Sequence, residues 1–100
     1  MEYVKSFKEL EVYKMSRELS REIFILIKSF PIEERYSLTD QIRRSSRSVG
    51  AQIAEAWGKR RYESHFISKL TDADSEQLET QHWLEVSEES NYLSSDKSKN

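Results

Sequence analysis

Leu38-Thr39-Asp40-Gln41-Ile42-Arg43-Arg44-Ser45-Ser46-Arg47-Ser48-Val49-Gly50-Ala51-Gln52-Ile53-Ala54-Glu55-Ala56-Trp57-Gly58 reads as one helix. Ile42, Val49, Ile53 and Ala56 recur at helical spacing, with the small Ser45, Ser46 and Gly50 between them, a pattern that lets a neighbouring helix come close. Gly50 costs about 1 kcal/mol relative to Ala inside a helix, so it asks for a packing reason. Thr39 is placed as the N-cap with Asp40 favourable against the helix dipole, and Gly58 is placed to close the other end. The opposite face carries Arg43, Arg44 and Arg47, and Lys59, Arg60 and Arg61 continue the positive charge beyond Trp57.

On the N-terminal side, Met1 to Lys5 form a short lead-in, and Ser6 with Glu9 reads as a capping box that starts a first helix at Phe7. Its apolar stripe is Val12, Met15, Leu19, Ile23, Leu26, Ile27 and Phe30, widened by Leu10, Tyr13 and Phe24. Running to Ser29, it would be about 35 Å long. Its polar face carries charges of both signs. Pro31 ends it, Ile32 to Arg35 form a short turn, and so short a connection sets the next helix antiparallel. On the C-terminal side, a third helix is expected from Glu63 to Ser90. Its inward positions are Phe66, Leu70, Ala73, Gln77, Leu84 and Val86, with Ile67, Leu78 and Trp83 beside them. Residues 94–100 are polar without apolar periodicity and read as a disordered tail.

One hundred residues with two Gly, one Pro and no Cys make one helical domain without disulfides. The apolar share of 36% is low and the charged share of 34% is high, so the core is modest and burial against other copies is an attractive route to stability. The net charge of −2 predicts no nucleic-acid partner by itself. Its distribution says more. Residues 43–61 hold six basic residues against Glu55 alone, and residues 72–89 hold seven acids with no Lys or Arg. The basic and acidic faces either pair with each other or leave a free basic surface. No apolar run approaches a membrane span and no signal-peptide core opens the chain, so the default location is cytoplasmic with no membrane contact.

The pattern Leu38-Thr39-x-Gln41-Ile42-Arg43-Arg44, Ser48, Ile53-Ala54-Glu55 resembles a family of small four-helix-bundle proteins first noticed in intervening sequences of bacterial 23S ribosomal RNA genes. A related branch comprises accessory proteins of diversity-generating retroelements. The resemblance extends to Phe7–Lys14, to Phe30-Pro31-x-Glu33-Glu34-Arg35-Tyr36 and to Ser75-Glu76-x-Leu78-Glu79-Thr80, covering most of residues 7–93. Gln52 stands where the family usually has Asn, Ala56 where it has Gly, and Ser45 where it has Ala. The resemblance implies an all-α, antiparallel up-down bundle, here of three long helices with the family's fourth missing or truncated. It also implies a homopentamer and an association with nucleic acid. A three-helix protomer would leave an apolar groove on its first and third helices.

Glu79-x-x-His82 has the spacing of a di-iron ligand pair, but His65 lacks its own Glu, so a solvated acidic face is the better reading and no metal or other cofactor is expected. Ser45, Ser46 and Ser48 sit mid-helix with no His in that helix, and Glu55 suits an ion pair with a nearby Arg. No set of nucleophile, base and oxyanion donors can be assembled, so no enzymatic activity is expected. The sharpest functional expectation is non-enzymatic, backbone-directed binding of RNA or DNA by Arg43, Arg44, Arg47, Lys59, Arg60 and Arg61. Trp57 and Tyr62 would supply a stacking face. The alternative is a homo-oligomeric scaffold for protein partners, in which the basic helix of one copy meets the acidic helix of the next.

Overall fold

The computed structural model describes residues 4–94. Three helices form it: α1 (Glu11–Leu26), α2 (Leu38–Gly58) and α3 (Glu63–Glu89), with no strand among the described residues. The all-α bundle expected from the sequence is therefore the fold, while the polar tail from residue 95 lies outside the described residues. Helix α2 is the centre, with α1 and α3 packed antiparallel against it. Contacts of Gly50 with Tyr13 and Ser16, and of Ser45 with Thr80, fix the two registers. Ile23, Ile27, Phe30, Leu38, Ile42, Leu84 and Leu93 form the main core, and Val49, Ile53 and Ala73 a second cluster nearer the other end.

The first helix begins later than its sequence suggests. Phe7–Glu9 form a 3-10 turn, and Leu10 is extended (φ −70°, ψ 132°) before α1 starts. The capping residues act on that turn: Ser6 Oγ accepts from the Lys8 N–H at 3.1 Å, and Glu9 Oε2 accepts from the Lys5 N–H at 2.7 Å. The break at Leu10 folds Phe7 edge-on against Tyr13, with centroids 4.9 Å apart, and lets Leu10 pack on the second cluster.

The ends of α2 also differ from expectation. Thr39 lies inside the first turn with its Oγ1 buried and unpartnered. Glu34 takes the capping role, accepting from the Leu38 N–H (3.3 Å), the Ser37 hydroxyl (2.6 Å) and the Tyr92 hydroxyl (2.9 Å). Three donors hold its carboxyl below the ordinary value, the Ser37 hydroxyl contributing most. Gly58 closes α2 without a positive φ. The left-handed residue is Asn91 (φ 64°), where the N–H groups of Asn91 and Tyr92 return to the carbonyls of Glu88 and Ser87 in a Schellman closure of α3. This turn carries Tyr92 onto Phe30 and to Glu34, tying the end of α3 to the α1–α2 corner.

Hydroxyl residues build the seam between α2 and α3. Thr80, Ser45 and Ser87 are all 1% exposed or less, and Ala73, Thr80 and Ser87 repeat at heptad spacing on α3. Their hydroxyls are satisfied close to home. Thr80 Oγ1 lies 2.9 Å from both Ser45 Oγ and the Glu76 carbonyl, and Ser87 Oγ donates to the Trp83 carbonyl at 2.8 Å. A hydroxyl bonded within its own helix is buried at little cost, so these residues act as small spacers that let the helices approach. Of the expected inward residues, Ala73 and Leu84 are buried; Phe66, Leu70, Gln77, Trp83 and Val86 are half-buried; Ile67 and Leu78 are exposed.

Candidate nucleic-acid interface

Helical geometry places Arg43, Arg44 and Arg47 within an arc of about 100° on the face of α2 turned away from Ile42, Val49 and Ile53. Asp40, one turn earlier, meets two of them: Oδ1 lies 3.2 Å from Arg43 NH2 and Oδ2 lies 3.0 Å from Arg44 Nε. One carboxylate between two guanidinium groups leaves net positive charge, and exposed pairs of this kind contribute at most about 1 kcal/mol each. Arg47 is exposed and forms no ion pair among the described residues.

Lys59, Arg60 and Arg61 occupy the exposed α2–α3 turn. Arg60 folds back, its guanidinium 4.1 Å from the Trp57 ring centroid and its NH1 donating to the Trp57 carbonyl at 2.8 Å. It thereby satisfies one of the carbonyls at the negative end of the helix dipole. Trp57 is thus engaged by Arg60, whereas Tyr62 is exposed beside His65, centroids 5.7 Å apart. Twelve residues from Arg47 to Lys59 span about 18 Å of helix, so the six residues form two separate positive patches, one on α2 and one at the α2–α3 turn, not a single stripe.

The charge contact between α2 and α3 has the opposite sense to the one expected. The base is Lys69 on α3 and the acid is Glu55 on α2, 3.5 Å apart, with Lys69 also 3.9 Å from Asp72 and 3.3 Å from Gln52 Oε1. Among the described residues Arg43 and Arg44 pair with Asp40 of their own helix, and the hydroxyl seam turns Asp72, Asp74, Glu79, Glu85 and Glu89 outward. Glu88 is half-buried, and so is Glu76. Held beside α2, the Glu76 carboxyl titrates above the ordinary range, through burial first and then through Glu79 and Asp72, with the Ser48 hydroxyl partly offsetting the shift.

Two further arginines were hidden in the mixed charges of the first helix. Arg17 and Arg21 line a groove of about 530 Å³ between α1 and α2, together with Arg47 and Phe24. Their i, i+4 spacing was the available signal, but only the packing of α1 against Gly50 brings them beside Arg47. Glu79 and His82 are both exposed, and among the described residues no group of three His, Asp or Glu side chains could hold a metal ion. No helix among the described residues is long and apolar enough to cross a membrane.

A family model described as 23S rRNA-intervening sequence protein matches residues 8–100. The chain belongs to this family. The match takes in all three helices and every one of the six basic residues singled out on α2 and its following turn. Neither curated proteins nor solved structures gave a match.

Proposed function

We propose that this member of the 23S rRNA-intervening sequence family is a non-enzymatic, homo-oligomeric protein that binds RNA or DNA through the phosphate backbone. Arg43, Arg44, Arg47, Lys59, Arg60 and Arg61 make the contacts. The observation that carries the reading is the exposure of Arg44, Arg47, Lys59, Arg60 and Arg61, with Arg47 in no ion pair among the described residues. An 18 Å separation matches roughly five base steps of a duplex at about 3.4 Å each, so one partner can reach both patches. Contacts of this kind position a backbone and carry little sequence information.

A second reading, a self-assembling scaffold, draws support from a different feature. An apolar groove of about 510 Å³ runs between α1 and α3 over Val49 and Ile53, bordered by Val12, Met15 and Leu70. Its burial between copies would favour an oligomer, a pentamer by resemblance.

The test is anisotropy with labelled duplex DNA, single-stranded DNA and structured RNA over a salt series, on wild type and an Arg43→Ala, Arg44→Ala, Arg47→Ala triple variant, with mass followed by light scattering. Loss of binding from an intact oligomer, with the duplex salt slope reduced by about 2.7 for three lost phosphate contacts, supports the backbone reading. Absence of binding at low salt by the intact wild type, or dissociation of the triple variant, puts the scaffold in its place.

A further inference from the structure

The two grooves lie on opposite flanks of α1 and differ in chemistry. The groove facing Arg47 is lined by three arginines and by no carboxylate. Arg17 and Arg21, one turn apart on α1, repel each other and Arg47, and none of the three has an ion-pair partner among the described residues. Arg43 and Arg44, by contrast, share Asp40. Three unpaired guanidinium groups around a concave surface raise a local positive potential that favours an anion in the groove.

Three aromatic rings, Phe7, Tyr13 and Phe24, complete the lining. Phe24 is 48% exposed at one end, and Phe7 stands near the other, turned there by the break at Leu10. Lys28 Nζ, 4.7 Å from the Phe24 ring centroid, continues the cationic line one helical turn further. Ala51 and Ala54 form the floor beside Gly50, where Ser16 packs close, and their small side chains leave room for a flat group.

We infer that this groove holds a single strand of nucleic acid, with Arg17, Arg21 and Arg47 on successive phosphates and Phe24 against an unpaired base. The inference rests on the nucleic-acid reading above and narrows it to single strands at this site. Guanidinium groups alone would suit any polyanion, an acidic polypeptide included. The exposed Phe24 ring among them selects a partner that itself has π-faces, and a duplex keeps those faces stacked inside. Arg47 belongs to both surfaces, so a strand in the groove leads onto the outer face of α2.

The test uses a labelled oligouridine of about 20 nucleotides, a DNA duplex of similar length and a polyglutamate competitor, with wild type, Arg17→Gln/Arg21→Gln, Phe24→Leu and Arg43→Gln/Arg44→Gln proteins. Arg17, Arg21, Phe24 and Arg44 are exposed and Arg43 is half-buried, so thermal midpoints no lower than that of wild type show intact folds. The expected result is roughly tenfold weaker oligouridine binding by Arg17→Gln/Arg21→Gln, with the salt slope lower by about 1.4 and duplex binding retained. Phe24→Leu should weaken oligouridine binding roughly tenfold with no change of slope, the signature of a lost stack. Oligouridine binding unchanged in both variants but lost in Arg43→Gln/Arg44→Gln overturns the groove assignment and leaves the general reading standing. A wild type that binds neither probe at low salt overturns both. Polyglutamate binding that resists Phe24→Leu, with oligouridine no better, makes the groove a dock for an acidic polypeptide and overturns the inference.

Discussion

Gly50→Ala should destabilise the protein, and should stabilise it once Ser16 is Ala. A β-carbon at Gly50 would stand 2.9 Å from Ser16 Oγ, closer than non-bonded atoms tolerate, but 3.8 Å from Ser16 Cβ, an ordinary contact. Ser16 is buried, and its hydroxyl donates to the Tyr13 carbonyl at 2.6 Å. Making room means giving up that bond inside the α1–α2 contact, at about 1–3 kcal/mol. Against this stands the gain of about 1 kcal/mol from replacing Gly by Ala in a helix interior. The single variant should therefore lose about 1 kcal/mol. In a Ser16→Ala background the clash is gone and the helix propensity remains, so the same substitution should gain about 1 kcal/mol, a coupling of about 2 kcal/mol. Thermal and urea melts of the four proteins, followed by helical circular dichroism at one fixed protein concentration, read this directly. For a domain of this size each kcal/mol moves the midpoint by about 4–8 °C. A rise in midpoint for Gly50→Ala alone, or equal shifts in both backgrounds, would refute the claim that close approach of α1 is what requires the glycine.

Ile42, with 0% exposure at the centre of the main core, should cost about 2–5 kcal/mol as Ile42→Ala, seen as an early urea midpoint. Thr80→Leu makes an inward position more apolar, yet should destabilise by about 1–3 kcal/mol, because the seam with Ser45 has room only for a small side chain. Glu34 has a depressed folded pKa, so its contribution is present above the ordinary value of 4.5 and is lost as pH falls through and below it. Glu34→Gln should accordingly be less stable than wild type at pH 7, with the two converging in acid melts. Glu76 has the opposite shift. Its raised pKa opposes folding above 4.5, so Glu76→Gln should raise the midpoint at neutral pH and lose that advantage as wild-type Glu76 becomes protonated.

The helices themselves were written in local order. Spacing of Ile42, Val49 and Ile53 gave α2 its inner face, Pro31 gave the corner, and Arg43, Arg44 and Arg47 had to fall on the outer face whatever α2 packed against, since helical periodicity depends on neighbours in sequence alone. Glu34, Tyr92 and Asn91 were harder to read, because a carboxylate that caps a helix and receives a hydroxyl 58 residues away has no local signature. Thr80 and Ser87 escaped for a related reason: a hydroxyl counts as polar in sequence but behaves as a small buried group once its own helix accepts its proton. Whether charges meet is likewise settled by which faces are brought together. The sequence by itself determined the all-α class, the antiparallel corner and a basic outer face on α2. Only the tertiary structure decided that Lys69 of α3 finds Glu55 of α2, and that Arg17 and Arg21 come to line a groove with Arg47. Helix formation is local, whereas the juxtaposition of faces depends on how closely the small residues let helices approach.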